Sequence, residues 1–408
     1  MDKNADRSML PECPSRVETS RFGPFTFLVG VDEQSIQTLL LRVGDAHARF
    51  MGSPLAQVAS RLEREVLVTS VFGTNTIEGA ELSEEETSAA LDIDPKKVQA
   101  VQQRRVVNIR SAFELAQHHT SQPGWMLSEE FIREVHRTIC RELDDAHYQP
   151  GFFRDNAKDR PTVVGDGAHG GRYKPPQYGG DVRMLVSALV EWYAQLVQAG
   201  LPAVIRAPLV HLYFETIHPF WDGNGRVGRV LEAAILHADG FRYAQFALSR
   251  YYLNQIDRYF ALFNQCRRLA ARGDAHPNTL FVQFHLEGML EVLNSLHDRV
   301  NHLVNIILFE ADLRSRHDRK ELNTRQYAIL TYVLKSSSPL LIDELRQAPW
   351  YQALYSKRTD KTRQRDLSQL REQQLLKQDQ HGQLWPGFIE IGEVTGMRHS
   401  QKTTKNGI

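Results

Sequence analysis

The chain has 408 residues, with 49 Lys and Arg against 49 Asp and Glu, so its formal net charge is zero. This balance excludes a uniformly basic, histone-like protein and an acidic disordered chain, although a sum of zero can conceal a local basic patch. Hydrophobic residues make up 42% of the chain and charged residues 24%, as in ordinary globular proteins. At roughly 150 residues per domain, the length predicts two or three domains.

The three cysteines, Cys13, Cys140 and Cys266, are too few and too far apart for a disulfide framework or a Cys-based zinc site. We therefore expect reducing, cytoplasmic surroundings. The N-terminal residues lack the apolar stretch of a secretory signal. The most apolar short run, residues 303–309, is far below the roughly 20 residues that span a bilayer, so no membrane contact is expected.

Helical periodicity dominates from Gln34 to about Ile307, which predicts a mainly α-helical fold. A Gly- and Pro-rich segment over residues 150–180 surrounds the β-type run 162–164, and we interpret it as a β-hairpin flap. After about Arg314, three short helical patterns and an alternating tail have the plan of a winged helix-turn-helix. The predicted domains are a flexible segment over 1–32, a helical region over 33–122, a helical core over 123–309, a winged helix-like domain over 310–390 and a flexible tail over 391–408.

Residues 218–229 read His-Pro-Phe-Trp-Asp-Gly-Asn-Gly-Arg-Val-Gly-Arg and carry the clearest chemical signal. Glycines flank a helix start there, and the N–H groups and positive dipole end of such a helix form an anion site. Arg226 and Arg229 lie on one side of that helix, and two guanidinium groups suit a polyphosphate. Asp222 is placed to hold a divalent cation. His218 is the natural general base, because histidine titrates near neutral pH.

The same letters spell G-x-G-x-x-G over residues 223–228, which is the dinucleotide-binding fingerprint. That fingerprint needs a preceding strand and an acidic residue about 20 positions further on. Residues 204–217 read as a helix instead, and residues 241–252 contain no Asp or Glu. We therefore reject a Rossmann-type interpretation.

Residues 218–229 match the pattern HPFxxGNGRxxR, and on this match the chain resembles the Fic family, named for filamentation induced by cAMP. Residues 150–154 and 173–176 resemble the two ends of that family's flap, and the resemblance covers roughly residues 35–300. It implies a Fic-type helical bundle with a β-hairpin flap, to which a winged helix-turn-helix domain is commonly appended. It further implies a protein adenylyltransferase, which transfers AMP from ATP to a Tyr, Thr or Ser hydroxyl of a target protein and releases pyrophosphate.

The resemblance also implies a role for each residue of the motif. His218 would deprotonate the target hydroxyl, and Asp222 would bind Mg²⁺ at the α- and β-phosphates of ATP. Phe220 would anchor the loop without taking part in the chemistry. The implied partners are a target protein, the protein itself included, and a second copy of the chain in a homodimer. The residues that would hold phosphate oxygens, through N–H groups, the Asn amide and guanidinium groups, are Gly223, Asn224, Gly225, Arg226 and Arg229.

A second motif, residues 74–79, resembles the inhibitory helix of the same family, with the pattern (S/T)xxxE(G/N). The resemblance implies that Glu78 pairs with Arg229 and takes the place of the γ-phosphate. A carboxylate there would remove one phosphate ligand and add a like charge beside the triphosphate, so the enzyme would inhibit itself. Alignment of a water molecule for the removal of AMP is an alternative role for Glu78.

Weaker assignments concern the rest of the site. Val163 and Val164 form the centre of the flap, whose strand edge would accept an extended target segment; an ordinary hairpin is the alternative. Tyr259 and Phe260 are assigned to the adenine side of the nucleotide, although such residues more often belong to the core. His211, about two turns before the motif, is expected to be a packing or hydrogen-bonding residue.

The C-terminal module is basic, because residues 313–377 contain 14 Lys and Arg against 7 Asp and Glu, while the remainder of the chain is mildly acidic. Its basic cluster, residues 357–365, leads into a segment that resembles the recognition helix of a winged helix. Contact with DNA phosphate and contact with a protein are equal alternatives for this face. The alternative functions are therefore a DNA-binding regulator with the Fic core as nucleotide sensor, and the same fold acting on another donor such as UTP or GTP.

Overall fold

The computed structural model describes residues 10–143, 149–156, 160–336 and 340–389, and the chain divides into two compact units between residues 299 and 300. The described part is mainly α-helical, as predicted, with a few short antiparallel strands. In this part of the chain, no helix is both long and apolar enough to cross a membrane. The tail predicted over 391–408 lies outside the described residues.

Helices form most of the first unit. α7 (Ala203–Ile217) is apolar almost throughout its sequence and is buried nearly all round. Its packing partner α8 (Asn224–Ala238) is also largely buried, and α2 (Ala59–Ile77) packs against α9 (Ala244–Asn254). The pair α7 and α8 therefore forms the centre of the unit and carries the motif between its helices. The bounds in chain order are α1 (Glu33–Met51), α2 (Ala59–Ile77), α3 (Glu84–Leu91), α4 (Val101–Thr120), α5 (Glu129–Ile139), α6 (Gly179–Gln198), α7 (Ala203–Ile217), α8 (Asn224–Ala238), α9 (Ala244–Asn254), α10 (Ile256–Ala271) and α11 (Thr279–Asp318).

An antiparallel hairpin precedes these helices, with β1 (Ser15–Glu18) paired to β2 (Pro24–Phe27). Alternate side chains of β2 are buried, and the last of them, Phe27, is fully enclosed. The buried carboxylate of Asp181, at the start of α6, accepts three successive backbone N–H groups of the hairpin turn at 2.9 Å. Within the described residues 10–32, the flexible segment predicted over 1–32 is therefore a hairpin that aromatic burial and a carboxylate cap fix to the helical core. The first nine residues of that predicted segment lie outside the described residues.

The flap, residues 160–178, is less regular than the predicted hairpin. Among its described residues, one antiparallel bridge joins Val164 to Tyr173, with both N–H···O hydrogen bonds at 2.8 Å. Next to this bridge, the Thr162 backbone hydrogen-bonds to a side chain and not to a second strand. The Gln177 amide accepts from the Thr162 N–H at 2.7 Å and donates to the Thr162 carbonyl oxygen at 3.1 Å. The segment therefore forms a looped flap in which, among the described residues, one antiparallel pairing represents the predicted hairpin.

The second unit contains a three-stranded antiparallel sheet in the order β3–β5–β4, together with short helices. Its own apolar core includes Ile329, Tyr355 and Leu370. The buried carboxylate of Asp366 accepts from Arg325 Nε and from the Tyr355 hydroxyl, both at 2.7 Å, and so joins its helices. The elements are α12 (Thr324–Lys335), β3 (Leu340–Leu341), α13 (Ile342–Gln347), α14 (Pro349–Tyr355), α15 (Asp360–Glu372), β4 (Leu376–Gln378) and β5 (Gln383–Pro386).

The boundaries of the units differ from the predicted ones. Residues 33–122 and most of 123–309 belong to one unit, and the division falls inside α11, earlier than the predicted boundary at 309 and 310. The reason is that α11 is continuous across both positions and that its Leu313 already belongs to the core of the second unit. A break in sequence pattern near Arg314 therefore marks the end of a long helix, and the unit begins before it.

Candidate active site

His218 lies in the loop between α7 and α8 and has a left-handed backbone conformation, with φ 50° and ψ 61°. A residue with a side chain adopts this conformation at a free-energy cost of about 1–2 kcal/mol, so its surroundings must hold it. Arg154 does this: Nε donates to the His218 carbonyl oxygen at 2.6 Å and Nη2 donates to that of Ile217 at 3.2 Å. Burial lowers the pKa of Arg154 to about 10. Sequence reasoning assigned Arg154 only to one end of the flap and missed this role.

The side-chain amide of Asn224 lies inside the loop and hydrogen-bonds to its backbone, while a contact with phosphate stays a prediction. Its Oδ1 accepts from the Phe220 N–H at 2.9 Å, and its Nδ2 donates to the Phe220 carbonyl oxygen at 2.9 Å. Both ends of the amide are engaged, and the residue is buried. Asn224 therefore shapes the loop.

Phe220 is fully buried, as expected for an anchor, and it stacks on His136 with ring centroids 3.7 Å apart. The His136 ring joins two segments, because Nδ1 accepts from the Gly151 N–H at 2.9 Å and Nε2 lies 3.0 Å from the Asp222 carbonyl oxygen. Only a neutral ring with its proton on Nε2 can make both hydrogen bonds. Burial lowers the pKa of His136 to about 4, which keeps this form at neutral pH. Sequence reasoning missed His136, which lies on the amphipathic helix α5 far from the motif.

The start of α8, where the sequence predicts an anion site, has the turn geometry of a glycine-led helix start. Gly223 precedes the helix with φ 80°, a value that suits glycine, and its N–H donates to Asp222 Oδ1 at 2.5 Å. Gly223 therefore supplies the turn, and the N–H groups at a helix start of this kind suit an anion. A Cβ at Gly225 would overlap the carboxylate of Glu78. A negative group thus already lies where the sequence predicts a phosphate.

Arg226 and Asp222, predicted to bind phosphate and Mg²⁺, contact each other at this helix start. Nη2 of Arg226 lies 3.2 Å from Oδ1 of Asp222, and the Arg226 side chain is 4% exposed against 41% for Asp222. Among the described residues, no three His, Cys, Asp or Glu side chains converge on a metal site. Mg²⁺ commonly takes one carboxylate together with phosphate oxygens and water, so the accessible carboxylate of Asp222 fits this ion as part of a nucleotide complex.

The guanidinium group of Arg229 is enclosed by hydrogen-bond acceptors. Nη2 lies 2.6 Å from Glu78 Oε1, Nε donates to Thr74 Oγ1 at 2.6 Å, and Nη1 donates to the Tyr259 hydroxyl oxygen at 3.3 Å. Burial disfavours the charge of this side chain, but Tyr259 and the Glu78 carboxylate hold the pKa of Arg229 above its ordinary value. The contact between Glu78 and Arg229 that the second motif predicts is therefore present.

Tyr259 connects Arg229 to a buried network. Its hydroxyl lies 3.0 Å from His211 Nε2, and His211 Nδ1 lies 3.2 Å from Glu232 Oε2. His211 is thus a hydrogen-bonding core residue, as expected. The Tyr259 ring is buried and its hydroxyl contacts the Arg229 guanidinium, and both Tyr259 and Phe260 line the cavity. Their adenine-side position stays a prediction.

A cavity of about 330 Å³ beneath the flap brings together Glu78, His218, Gly225 and Arg229. The described residues that line it do not include Asp222, Gly223, Asn224 or Arg226. Val164 lines it, whereas Val163 is exposed. The flap is held to α10 by His169, whose ring lies 3.0 Å from Asp166 and 3.1 Å from Asp257. The remaining lining residues come from α2, the flap, α7, α8 and α10: Ile77, Glu78, Gly165, Tyr173, Glu215, Thr216, His218, Gly225, Arg229, Tyr259, Phe260, Phe263, Asn264 and Arg267.

Residues 126–236 match the model of the Fic/DOC family. The chain is 26% identical over 216 residues to protein adenylyltransferase fic-1 of Caenorhabditis briggsae, which covers 50% of this chain and 38% of that protein. It is 28% identical over 184 residues to a probable protein adenylyltransferase of Aquifex aeolicus, which covers 43% of this chain and 54% of that protein. The chain thus spans less than two thirds of the length of these relatives.

Two solved structures share the fold. A Fic family protein from Desulfovibrio desulfuricans aligns with a TM-score of 0.53 and 19% identity over 87% of this chain and 97% of that chain. A Fic domain containing signaling protein from Bacteroides thetaiotaomicron aligns with a TM-score of 0.51 and 22% identity over 66% of this chain and 97% of that chain. At these identities the likeness shows a common fold.

Proposed function

We propose, from the match of residues 126–236 to the Fic/DOC family model, that the protein transfers AMP from ATP to a hydroxyl group of a target protein and that Glu78 restrains this activity. The observation that carries the proposal is the meeting of His218, the start of α8 and Arg229 around one cavity, with Glu78 bound to Arg229. Relatives named as protein adenylyltransferases support the same activity.

The proposed reaction is an in-line displacement at the α-phosphorus of ATP. His218 takes the proton of the target hydroxyl, the hydroxyl oxygen bonds to phosphorus, and the bond to the leaving pyrophosphate breaks. A histidine base contributes on the order of 10²–10⁴-fold in rate. The N–H groups at the start of α8, together with Arg226 and Arg229, would hold the charge of the triphosphate. Mg²⁺ bound with Asp222 would neutralise part of the phosphate charge.

Glu78 would restrain this reaction in two ways. It occupies Nη2 of Arg229, which a γ-phosphate would otherwise contact, and its carboxylate lies over Gly225 at the anion site. A triphosphate in that place would meet a like charge in a half-buried site, where electrostatic repulsion is stronger than in water. ATP would then bind with its α-phosphate out of line.

Incubation with α-labelled ATP and Mg²⁺ tests the proposal. Glu78→Gly should label protein on the order of 10²-fold more than wild type, the effect of one electrostatic ligand on a transition state. Glu81→Gly is the matched control, because it removes a neighbouring exposed glutamate and should label like wild type. The double variant Glu78→Gly with His218→Ala should not label. Absence of label from folded Glu78→Gly with ATP and either Mg²⁺ or Mn²⁺ would exclude the proposed activity.

The same assay distinguishes the alternative activities. Labelled protein made by Glu78→Gly can be purified and mixed with unlabelled wild type. Faster loss of AMP with wild type than with Glu78→Gly would assign a water-aligning role to Glu78. Stronger modification with UTP or GTP than with ATP would assign a different nucleotide donor to the same binding site. The residues that would hold the phosphates do not contact the base, so they fit any of these donors.

The flap would dock the target protein. Val163 is exposed, and Val164, its neighbour in the chain, lines the cavity that holds His218. An extended target segment beside the flap would therefore present its hydroxyl near the base. Val163→Asp should lower transfer to a target more than it lowers binding of ATP, which a direct binding titration measures.

The winged helix-turn-helix domain predicted over residues 310–390 would lie within the second unit, which begins at residue 300. The support is its element order of helix, strand, three helices and two strands, with exposed basic residues at the last helix: Lys357, Arg358, Lys361 and Arg365. A DNA-binding role predicts that the full-length protein binds duplex DNA with an affinity that falls steeply with salt. Lys361→Glu with Arg365→Glu should abolish such binding. Absence of binding at low salt would favour a protein partner for this face.

A further inference from the structure

Glu215 lies one turn before His218 on α7, and its side chain is turned toward the imidazole ring. Oε2 of Glu215 lies 3.4 Å from Nδ1 of His218, and both residues line the cavity. Among the described residues, neither His218 Nδ1 nor Glu215 Oε1 has an aligned hydrogen-bond partner. A carboxylate and an imidazole thus face each other, and within the described site each has a buried polar atom that makes no hydrogen bond to another group.

The position of the carboxylate is defined by its neighbours. The Glu215 side chain is 12% exposed, and a Cβ at Gly228 on α8 would come within 3.0 Å of Glu215 Oε1 and of the His211 ring. Burial would raise the pKa of Glu215, but His218, His211 and Arg229 hold its pKa below the ordinary value. The residue is therefore an ionised carboxylate, enclosed between α7 and α8 and directed at the rear nitrogen of the ring.

We propose that Glu215 is a positioning residue for His218, which accepts the Nδ1–H of the neutral ring and so keeps Nε2 unprotonated toward the cavity. The inference rests on the proposed function for the identity of the reaction. The proton of the target hydroxyl passes to Nε2 while the oxygen–phosphorus bond forms and pyrophosphate leaves. Glu215 stays ionised and stabilises the imidazolium, as the carboxylate of a catalytic triad does. The long Nδ1–Oε2 distance is that of a resting site, where such contacts tighten only in the substrate complex.

Glu215→Gln in the Glu78→Gly background separates this role from a structural one. Glutamine has nearly the same shape, but its amide can donate to Nδ1, which would move the ring proton to Nε2 and disable the base. Nitrogen NMR of the imidazole should show an Nδ1–H ring in the parent and an Nε2–H ring in the variant. Turnover should fall on the order of 10²–10⁴-fold, with the KM for ATP changed by less than about threefold.

Glu134→Gln is the matched control, because Glu134 also faces a histidine, His119, at 3.2 Å on the exposed surface. It should change neither the His218 spectrum nor turnover. An Nε2–H ring in the parent would overturn the proposal without any variant, and so would unchanged turnover in folded Glu215→Gln. A tautomer change on Glu215→Gln in a parent that transfers no AMP would support the Glu215–His218 relationship and refute only the proposed activity.

Discussion

Oε1 of Glu78 lies 2.6 Å from Nη2 of Arg229, although 151 positions separate the two residues in the chain. Glu78 caps the C-terminal end of α2, and Arg229 lies in the second turn of α8. The same carboxylate lies over Gly225, at the start of that helix. One group therefore blocks both the guanidinium and the helix start, so its removal would open the whole anion site at once.

Thr74→Val should weaken the contact between α2 and Arg229. The Thr74 hydroxyl accepts from Arg229 Nε at 2.6 Å, and valine has the same shape without an acceptor. A buried N–H group without a partner lowers the free energy of unfolding by about 1–3 kcal/mol. We expect that loss in urea unfolding, together with more AMP transfer in the α-labelled ATP assay by a protein that keeps Glu78. Thr69→Val is the control, because Thr69 lies on α2 like Thr74 but its hydroxyl donates to Glu84 on α3 at 3.4 Å. Equal behaviour of the two variants would refute this relationship.

Gly228→Ala and Gly44→Ala should have opposite effects on stability, although both glycines lie inside helices. A Cβ at Gly228 would come within 3.0 Å of His211 and Glu215, whereas nothing lies within 4 Å of a Cβ at Gly44. We expect Gly228→Ala to lower the free energy of unfolding by about 1–3 kcal/mol and Gly44→Ala to raise it by about 0.5–1 kcal/mol. Urea titration measures both, and stabilisation by Gly228→Ala would contradict the close packing of α7 on α8.

The flap should loosen as the pH rises. Hydrogen bonds to Asp166 and then to Asp257 raise the pKa of His169 above its ordinary value of about 6.5. A raised folded-state pKa means that this stabilisation is complete below the unfolded pKa and is lost as the pH rises through the folded one. Hydrogen exchange over residues 160–174, corrected for intrinsic rates, should therefore show less protection at pH 8.5 than at pH 6.

His169→Gln supplies the control for the flap, because glutamine cannot take up the proton. Its flap should exchange with the same protection at both pH values. A wild-type flap that is equally protected at pH 6 and pH 8.5 would show that the contact between His169 and Asp257 does not hold it in place.

The motif could be located from sequence because its geometry is local. Twelve consecutive residues contain the loop, the turn glycine and the helix start, so their spacing alone indicates an anion site. Arg154 and His136 reach the same loop from other elements and carry no local signal, and their roles follow only from the folded chain. The Asn224 amide has a role that the sequence did not indicate, because its oxygen and its nitrogen both hydrogen-bond to the backbone of Phe220.

Two long-range contacts of the first unit differ in whether the sequence could predict them. Residue types alone could not bring Glu78 to Arg229, and the resemblance to a known inhibitory helix supplied that prediction. The N-terminal hairpin was missed because the segment is polar and short, while its stability comes from the burial of Phe27 and from the Asp181 cap on a distant helix. The contact between Glu78 and Arg229 was thus predicted because a family motif implies it. The contact between the N-terminal hairpin and Asp181 has no such motif and was not predicted.

The most direct test of the central claim is intact-protein and peptide mass spectrometry of Glu78→Gly after incubation with ATP and Mg²⁺, beside the double variant Glu78→Gly with His218→Ala. The account predicts that Glu78→Gly, with itself or an added target as acceptor, gains the mass of one AMP on a Tyr, Thr or Ser hydroxyl. The double variant should gain nothing. No added mass with folded Glu78→Gly, or equal addition by the double variant, would contradict AMP transfer by His218 under the restraint of Glu78.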